Sequence, residues 1–255
     1  LKAHYPVEFM AALLNASIAS TDNLVKYIKE CREMRLEIAA PDLNVSGGGF
    51  TPQGDGIRFG LNAIKNLGES AVRSLLQARE SGPFRDLDDF CQRVSGKALN
   101  KRVLESLIKA GALDSFGSRA GLMAAAERAL EAAQPEEKAR QQGQHGLFLA
   151  FEEAAAAPSA RLPVVAEWDE ATRLAGEKEV LGYYVSGHPM DRFGDRCADL
   201  RVVALEDVDR HARGRQDEIQ VAGILSQLQV RRNKKGEAWA TAWLEDRTSR
   251  RELLI

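Results

Sequence analysis

The spacing of the apolar residues changes from a helical period to a strand period along this chain, and this change limits what the chain can fold into. Over residues 61–130 apolar side chains recur every three or four positions, the period of an α-helix with one buried face. From Glu218 onward they alternate with other residues, the period of a β-strand. The sequence therefore predicts a multi-domain protein that is mainly α-helical and continues into an antiparallel sheet. Its 255 residues are enough for one large domain or for two to three ordinary ones.

Composition narrows the class of protein further. With 44% hydrophobic and 28% charged residues, the chain has the usage of a folded globular protein, which excludes collagen-like and wholly disordered chains. The longest uncharged stretch, Phe9 to Thr21, is shorter than the about 20 apolar residues that a membrane-spanning helix needs. The scattered cysteines form neither a CxxC site nor a disulfide framework, which predicts a reducing, cytoplasmic environment. A net charge of -2 gives no basic footprint, so a nucleic-acid-binding function must rest on motifs.

The region before residue 61 is expected to hold two helices and a hairpin. Periodic apolar residues predict helices over about residues 6–19 and 22–36. A turn-rich segment between Phe50 and Phe59 predicts a short β-hairpin. The glycines at 47–49 could cradle a phosphate, but no Lys-Ser or Lys-Thr pair follows them, so a structural role is preferred.

The segment from Leu61 to Val72 predicts a helix, a tight turn through Gly68 and a second helix, which is a helix-hairpin-helix pattern. In such a motif the turn amides and the N-terminal dipole of the second helix converge on a phosphate oxygen, and glycine permits close approach. The candidate DNA-contacting residues are Lys65, Leu67, Gly68, Glu69, Ser70 and Arg73. The alternative is an ordinary helical hairpin that uses Gly68 as a cap.

Residues 131–165 change in character, because acids, glutamines, an alanine run and the prolines at 158 and 163 predict a linker. Within this linker Gln144, Leu147 and Phe148 stand out, since large apolar residues in a polar segment need a reason. Leu147 and Phe148 could enter an apolar pocket of a partner while the Gln144 amide bonds to the rim of that pocket. Alternatively, they pack against helices of this chain. Helical spacing returns over residues 166–217, which predicts a helical connector.

Residues 218–255 predict strands joined by a basic turn, after which Trp239 and Trp243 share one strand face. Oligonucleotide-binding barrels bind single strands by stacking bases on aromatic rings while Lys and Arg follow the backbone. The candidate contacts are Arg231, Arg232, Lys234 and Lys235. The alternative places both tryptophans in the core and leaves the turn solvated.

Several motifs, in order along the chain, resemble the bacterial replicative DNA polymerase III alpha subunits, which are C-family DNA polymerases. These motifs are 5–15, 57–61, 82–84, 87–90, 107–114 and 182–189. The resemblance implies an end of the fingers domain at 1–60, a duplex-binding helix-hairpin-helix region at 61–130, a linker at 131–165, a helical connector at 166–217 and an incomplete oligonucleotide-binding barrel at 218–255. It also implies that Gln144, Leu147 and Phe148 bind the sliding clamp, although His145 and Gly146 depart from the usual motif.

The same resemblance implies partners and a parent reaction. The partners would be primer-template DNA, single-stranded template, the sliding clamp and other replicative holoenzyme subunits, with no membrane. The parent reaction would add deoxynucleotides to a primer 3' end and would use magnesium held by palm aspartates, which are not among these residues. The histidines and acid pairs here form no metal-ligand or nucleophile pattern, so no catalytic residue, metal or cofactor is expected. The alternative function is a non-enzymatic DNA-repair or recombination scaffold that binds duplex and single-stranded DNA.

Overall fold

The computed structural model describes residues 1–94, 98–141, 161–212, 218–232, 236 and 238–255, with the backbone alone for 134–141. These residues form two compact units, Leu1–Ser186 and Gly187–Ile255. The boundary lies inside the segment predicted as a helical connector, so the first helix of that segment belongs to the first unit. None of the described helices combines the length and hydropathy that a membrane-crossing segment needs.

Two helices begin the first unit. α1 (Pro6–Ala16) starts on a proline, whose missing N–H would have no helical partner in a first turn. α2 (Thr21–Glu33) is capped by the Ser20 hydroxyl, which accepts a hydrogen bond from the Asn23 amide at 3.5 Å. Both helices are present as predicted and end slightly early. After α2 the reason is Arg35, whose left-handed φ of 60° stops the helical path.

A small sheet follows and confirms the predicted hairpin. β2 (Thr51–Gln53) runs antiparallel to β3 (Gly56–Arg58), with Thr51 opposite Arg58. β1 (Ile38–Ala39) lies parallel to β3 on its other side, a pairing that the sequence did not predict. The glycines at 47–49 have a packing role here, because a Cβ on Gly49 would come within 2.5 Å of the Asn15 side-chain oxygen.

The rest of the first unit is helical. Its helices are α3 (Glu69–Arg79), α4 (Leu87–Arg93), α5 (Lys101–Lys109), α6 (Arg119–Gln141) and α7 (Glu170–Leu181). α5 forms because Asn100 Oδ1 accepts from the Val103 amide at 3.0 Å and caps it. Its apolar face is buried at Leu104, Leu107 and Ile108. α4 and α5 pack on α6, which continues through residues 131–141 of the predicted linker.

The second unit carries the predicted antiparallel sheet. Two short helices, α8 (Gly194–Asp199) and α9 (Val208–His211), precede β4 (Ile224–Arg232), β5 (Ala238–Glu245) and β6 (Arg250–Leu254). The strands pair in the order β4-β5-β6, with an irregularity in β4 between Ser226 and Gln229. The described strands do not close into a barrel, so the oligonucleotide-binding barrel stays a prediction.

Asp246 joins this sheet to the helical part of the same unit. Its carboxylate accepts hydrogen bonds from the backbone amides of Leu205, Thr248 and Ser249, each at 2.7 Å. Burial raises the pKa of Asp246, but these hydrogen bonds outweigh burial and hold its pKa below the usual range. The turn between β5 and β6 is therefore fixed by a carboxylate that stays ionised at neutral pH.

Candidate nucleic-acid interface

The turn before Gly68 differs from the predicted helix. Leu61–Ala63 forms a single 3-10 turn, and the chain then passes through Asn66 with a left-handed φ of 69°. Leu61, Ile64 and Leu67 are all buried. Their spacing of three residues suits a 3-10 turn as well as a helix face, which explains why the pattern predicted a longer helix.

This turn is anchored to two other elements of the first unit. The Lys65 amide donates to the Val180 carbonyl at 2.8 Å, at the end of α7. The Asn66 side-chain amide donates to the Ser106 hydroxyl of α5 at 2.9 Å. Asparagine is among the residues that tolerate a left-handed backbone, so Asn66 both makes the bend and attaches it. Asn66 was not predicted from the sequence, although a position before Leu-Gly in a tight turn is a place to look for such a residue.

Three backbone amides at the start of α3 donate to no acceptor among the residues that the structure describes. Gly68 caps α3 in an extended conformation (φ -73°, ψ 154°), and its carbonyl accepts from the Ala71 and Val72 amides. Within the described part of the chain, the amides of Gly68, Glu69 and Ser70 donate to no other group. A Cβ on Gly68 would meet only Ser70 Oγ, at 3.9 Å. Three donors at the positive end of a helix, with open space before them, suit a phosphate oxygen.

The side chains beside this turn carry a modest positive charge. Lys65 is exposed and forms no ion pair with a described acid, whereas Arg73 is bound to Glu69 at 3.1 Å. Next to Asn66 lies a cleft of about 480 Å³ on the polar face of α5. Arg102 lines this cleft, is exposed and forms no ion pair within the described residues. The structure thus adds Arg102 to the cations that the sequence placed near the turn.

A second helical hairpin, formed by α5 and α6, has a turn whose amides and open space are occupied by groups of the protein itself. The amides of Ala110, Gly111 and Ala112 all bond to carbonyls of α5. The Arg119 guanidinium occupies the turn and binds both oxygens of Asp114 at 2.9 Å. The turn amides of this hairpin therefore have carbonyl acceptors within the protein, whereas those of Gly68, Glu69 and Ser70 have none among the described residues.

Arg119 also belongs to a buried ion pair that the sequence did not reveal. Its guanidinium donates to Glu177 Oε1 at 3.0 Å, and the Glu177 side chain is completely buried. Burial lowers the pKa of Arg119, but the carboxylates of Asp114 and Glu177 outweigh burial and raise its pKa above the ordinary value. Glu177 Oε2 accepts from the Val185 and Ser186 amides at 2.8 and 2.9 Å, which fixes the last residues of the first unit.

The sheet of the second unit presents its tryptophans on the polar face. Ala242 and Leu244 alternate with Trp239 and Trp243 along β5, and the first two are buried while the tryptophans are partly exposed. The interpretation that places the tryptophan face in the core is therefore wrong. Arg231 and Arg232 are exposed at the end of β4, and Lys234 and Lys235 lie outside the described residues.

Comparison with known proteins agrees with this geometry. A family model described as "Helix-hairpin-helix motif" matches residues 35–122, which include the Gly68 turn and the α5–α6 hairpin turn. The chain is 42% identical to the DNA polymerase III subunit alpha of Pseudomonas aeruginosa, over 99% of this chain and 23% of that protein. It is 40% identical to the same subunit of Thermus aquaticus and 37% identical to that of Mycobacterium tuberculosis, in each case over 100% of this chain. The chain belongs to the DNA polymerase III alpha subunit family. It spans less than a quarter of the length of these relatives.

Two features expected of the DNA polymerase III alpha family cannot be placed on this structure. Gln144, Leu147 and Phe148, with His145 and Gly146 between them, lie outside the described residues. The described residues contain no group of three or more His, Cys, Asp or Glu side chains that could hold a metal ion.

Proposed function

We propose that this chain is the part of a bacterial replicative DNA polymerase that holds DNA and attaches the enzyme to its sliding clamp in the cytoplasm. The parent reaction is the DNA-templated addition of deoxynucleotides to a primer 3' end, within a holoenzyme of several subunits. The observation that carries the proposal is the set of open amides at Gly68, which lies inside the region that matches a helix-hairpin-helix model. A DNA-repair scaffold would use similar parts, but the polymerase relatives favour the replicative function.

Duplex binding follows from the Gly68 turn. Amides that donate hydrogen bonds to a phosphate oxygen contact the DNA backbone and not the bases, so binding should be independent of DNA sequence. Few free cations lie beside the turn, and affinity should therefore be modest. The structural need for Gly68 is small, because its φ and ψ suit any residue and its Cβ position is open. We expect Gly68 to matter for binding, because a residue without a side chain leaves the turn amides open to a DNA phosphate.

We expect Gly68→Val to raise the dissociation constant for duplex DNA by roughly tenfold, since a branched side chain shields the amides from a phosphate. Thermal unfolding should stay close to that of the unaltered protein. Gln77→Val is the matched control, because it adds the same side chain to the exposed face of α3, about 14 Å further along the helix. Fluorescence anisotropy with a labelled duplex measures both variants. A folded Gly68→Val protein with unchanged affinity would contradict the hairpin site.

The sheet of the second unit supports a path for single-stranded template. Leu225 and Val230 lie on the same face as the buried Leu244 but are 59% and 68% exposed, so further strands that complete a barrel would cover them. An oligonucleotide-binding barrel places nucleic acid across its strands and the loops between them. The basic turn after β4 would then follow the phosphates with Arg231, Arg232, Lys234 and Lys235.

Replacing these four basic residues by glutamine should weaken single-strand binding more than duplex binding. Each lost phosphate contact removes about 0.7 from the slope of log affinity against log salt for a single strand, so the slope should fall by up to about 3. Glutamine at Arg192, Arg196, Arg201 and Arg210 is the control, because these exposed bases lie in the same unit outside the sheet. Salt titrations with both kinds of DNA measure the difference. Equal loss for both would indicate a nonspecific basic surface.

A further inference from the structure

The polar face of the second unit's sheet carries two arginine–tryptophan pairs. The Arg250 guanidinium carbon lies 4.4 Å from the ring centroid of Trp243, and that of Arg231 lies 5.7 Å from Trp239. Trp239 and Trp243 are four residues apart on β5, so they lie about 13 Å apart along one face of the strand. Thr241 stands between them on the same face. The two rings therefore form a row along β5.

Each arginine is held in place by a glutamine rather than by an acid. Arg231 donates to Gln229 Oε1 at 2.9 Å, and Arg250 donates to Gln227 Oε1 at 2.8 Å. Gln227 has a left-handed φ of 53° and lies at the irregularity in β4. Neither arginine forms an ion pair with a described carboxylate, whereas Arg251 of the same sheet is bound to Asp209 at 2.6 Å. Hydrogen bonds thus orient the two guanidinium groups, while no ion pair with a described carboxylate neutralises them, so they can bind an external anion.

The position of the tryptophans points to a ligand and not to packing. The opposite face of β5 is the inner one, where Ala242 is fully buried and Leu244 is 7% exposed. Trp239 and Trp243 lie on the outer face and keep part of their surface exposed. Together with oriented cations they offer the two interactions that single-stranded nucleic acids use, which are base stacking and backbone charge.

We propose that Trp239 and Trp243, each with its arginine, form a stacking surface for bases of single-stranded DNA. This inference rests on the single-strand path proposed above and adds what that path lacks, a contact to the bases. The four basic residues of the turn would hold the phosphates, and the tryptophan row would hold the unpaired bases. Duplex DNA has no unpaired bases to offer, so this surface would favour single strands.

The test uses two ligands that share phosphates and differ in bases, a thymidine oligonucleotide and an abasic strand of equal length. The protein carries Trp168→Phe, so that Trp239 and Trp243 supply all indole emission. We expect the thymidine strand to quench this emission and to bind more tightly than the abasic strand. Trp239→Leu and Trp243→Leu should each lower affinity for the thymidine strand by roughly fivefold to a hundredfold, with little effect on the abasic strand.

Leu254→Ala is the matched control, because Leu254 lies opposite Thr241 on the same face and is 78% exposed but not aromatic. It should change neither affinity nor quenching. Equal binding of the two strands without quenching would overturn the stacking surface and leave the basic path intact. Failure of the protein to bind either strand would overturn the single-strand path itself, and the stacking surface with it.

Discussion

Replacing Glu177 by alanine is expected to lower the free energy of unfolding of the first unit by about 3–5 kcal/mol. Glu177 is completely buried and accepts three hydrogen bonds, one from Arg119 and two from the amides of Val185 and Ser186. Its removal leaves a guanidinium that is only 8% exposed with part of its charge uncompensated, and leaves two amides without an acceptor. The loss is large because the charge that remains is buried.

Glu179→Ala provides the control for this prediction. Glu179 lies two positions further along α7 and binds Lys109 at 2.8 Å, but its side chain is 60% exposed. Exposed ion pairs contribute at most about 1 kcal/mol, so this variant should unfold close to the parent. Urea titrations followed by circular dichroism compare the two proteins. Similar unfolding midpoints for the two variants would show that the buried pair does not stabilise the fold.

The sequence could not have identified Glu177. It stands in a run of charged residues, Glu177-Lys178-Glu179, that reads as a solvated helix face. Its main partner, Arg119, is 58 residues away along the chain. A contact of that kind depends on how α6 and α7 pack together. The spacing of residues within one helix does not predict it. α5 is the opposite case, because its cap at Asn100 and its apolar face are local features that the order of residues in the sequence can show.

The tryptophan row shows a different limit of sequence reasoning. Alternation along β5 correctly predicted a strand, but alternation does not say which face is inside. The preference of large aromatic residues for the core favoured the wrong face. The deciding fact is strand register, which sets Leu225 beside Leu244 and Leu253 beside Ala242 and so makes an apolar face on the alanine side. Register across a sheet with an irregular strand becomes visible only in the folded chain.

The sequence predicted where the Gly68 turn lies but not its detailed structure, and DNA contact at this turn stays a prediction. Gly68 and the amides that follow it lie where the motif put them, in open space at the start of α3. The expected helix before them is a single 3-10 turn, because a three-residue spacing of leucine and isoleucine fits both structures. Asn66 and Arg102 were missed, since their roles come from contact between the turn and α5.

The largest functional effect is expected from the linker. We propose that Gln144, Leu147 and Phe148 bind the ring-shaped clamp, which keeps the enzyme near DNA and raises its local concentration there. The acidic, proline-containing sequence predicts an exposed, extended peptide, in which Leu147 and Phe148 would be the anchors. Short peptides lose conformational freedom on binding, so the affinity is modest and depends on these few contacts.

Replacing Leu147 and Phe148 by alanine should therefore weaken clamp binding by more than a hundredfold, since two anchor side chains of this size each contribute about 2 kcal/mol or more. In the full-length protein, synthesis of long products on a clamp-loaded template should fail. Insertion of a single nucleotide on a primed template should stay nearly unchanged, because the clamp adds avidity and no chemical step. Surface plasmon resonance with immobilised clamp and primer-extension assays measure the two effects.

Leu149 and Phe151 supply the matched control, because they are apolar residues of the same linker just beyond the proposed motif. Their replacement by alanine should leave clamp binding within a few-fold of the parent if the motif ends at Phe148. A thermal unfolding curve separates the clamp hypothesis from the alternative that Leu147 and Phe148 pack against this chain's own helices. In that alternative the Leu147 and Phe148 double variant loses stability, since buried apolar side chains are removed from a core. Retained clamp affinity, or lost stability, in that variant would contradict the tether.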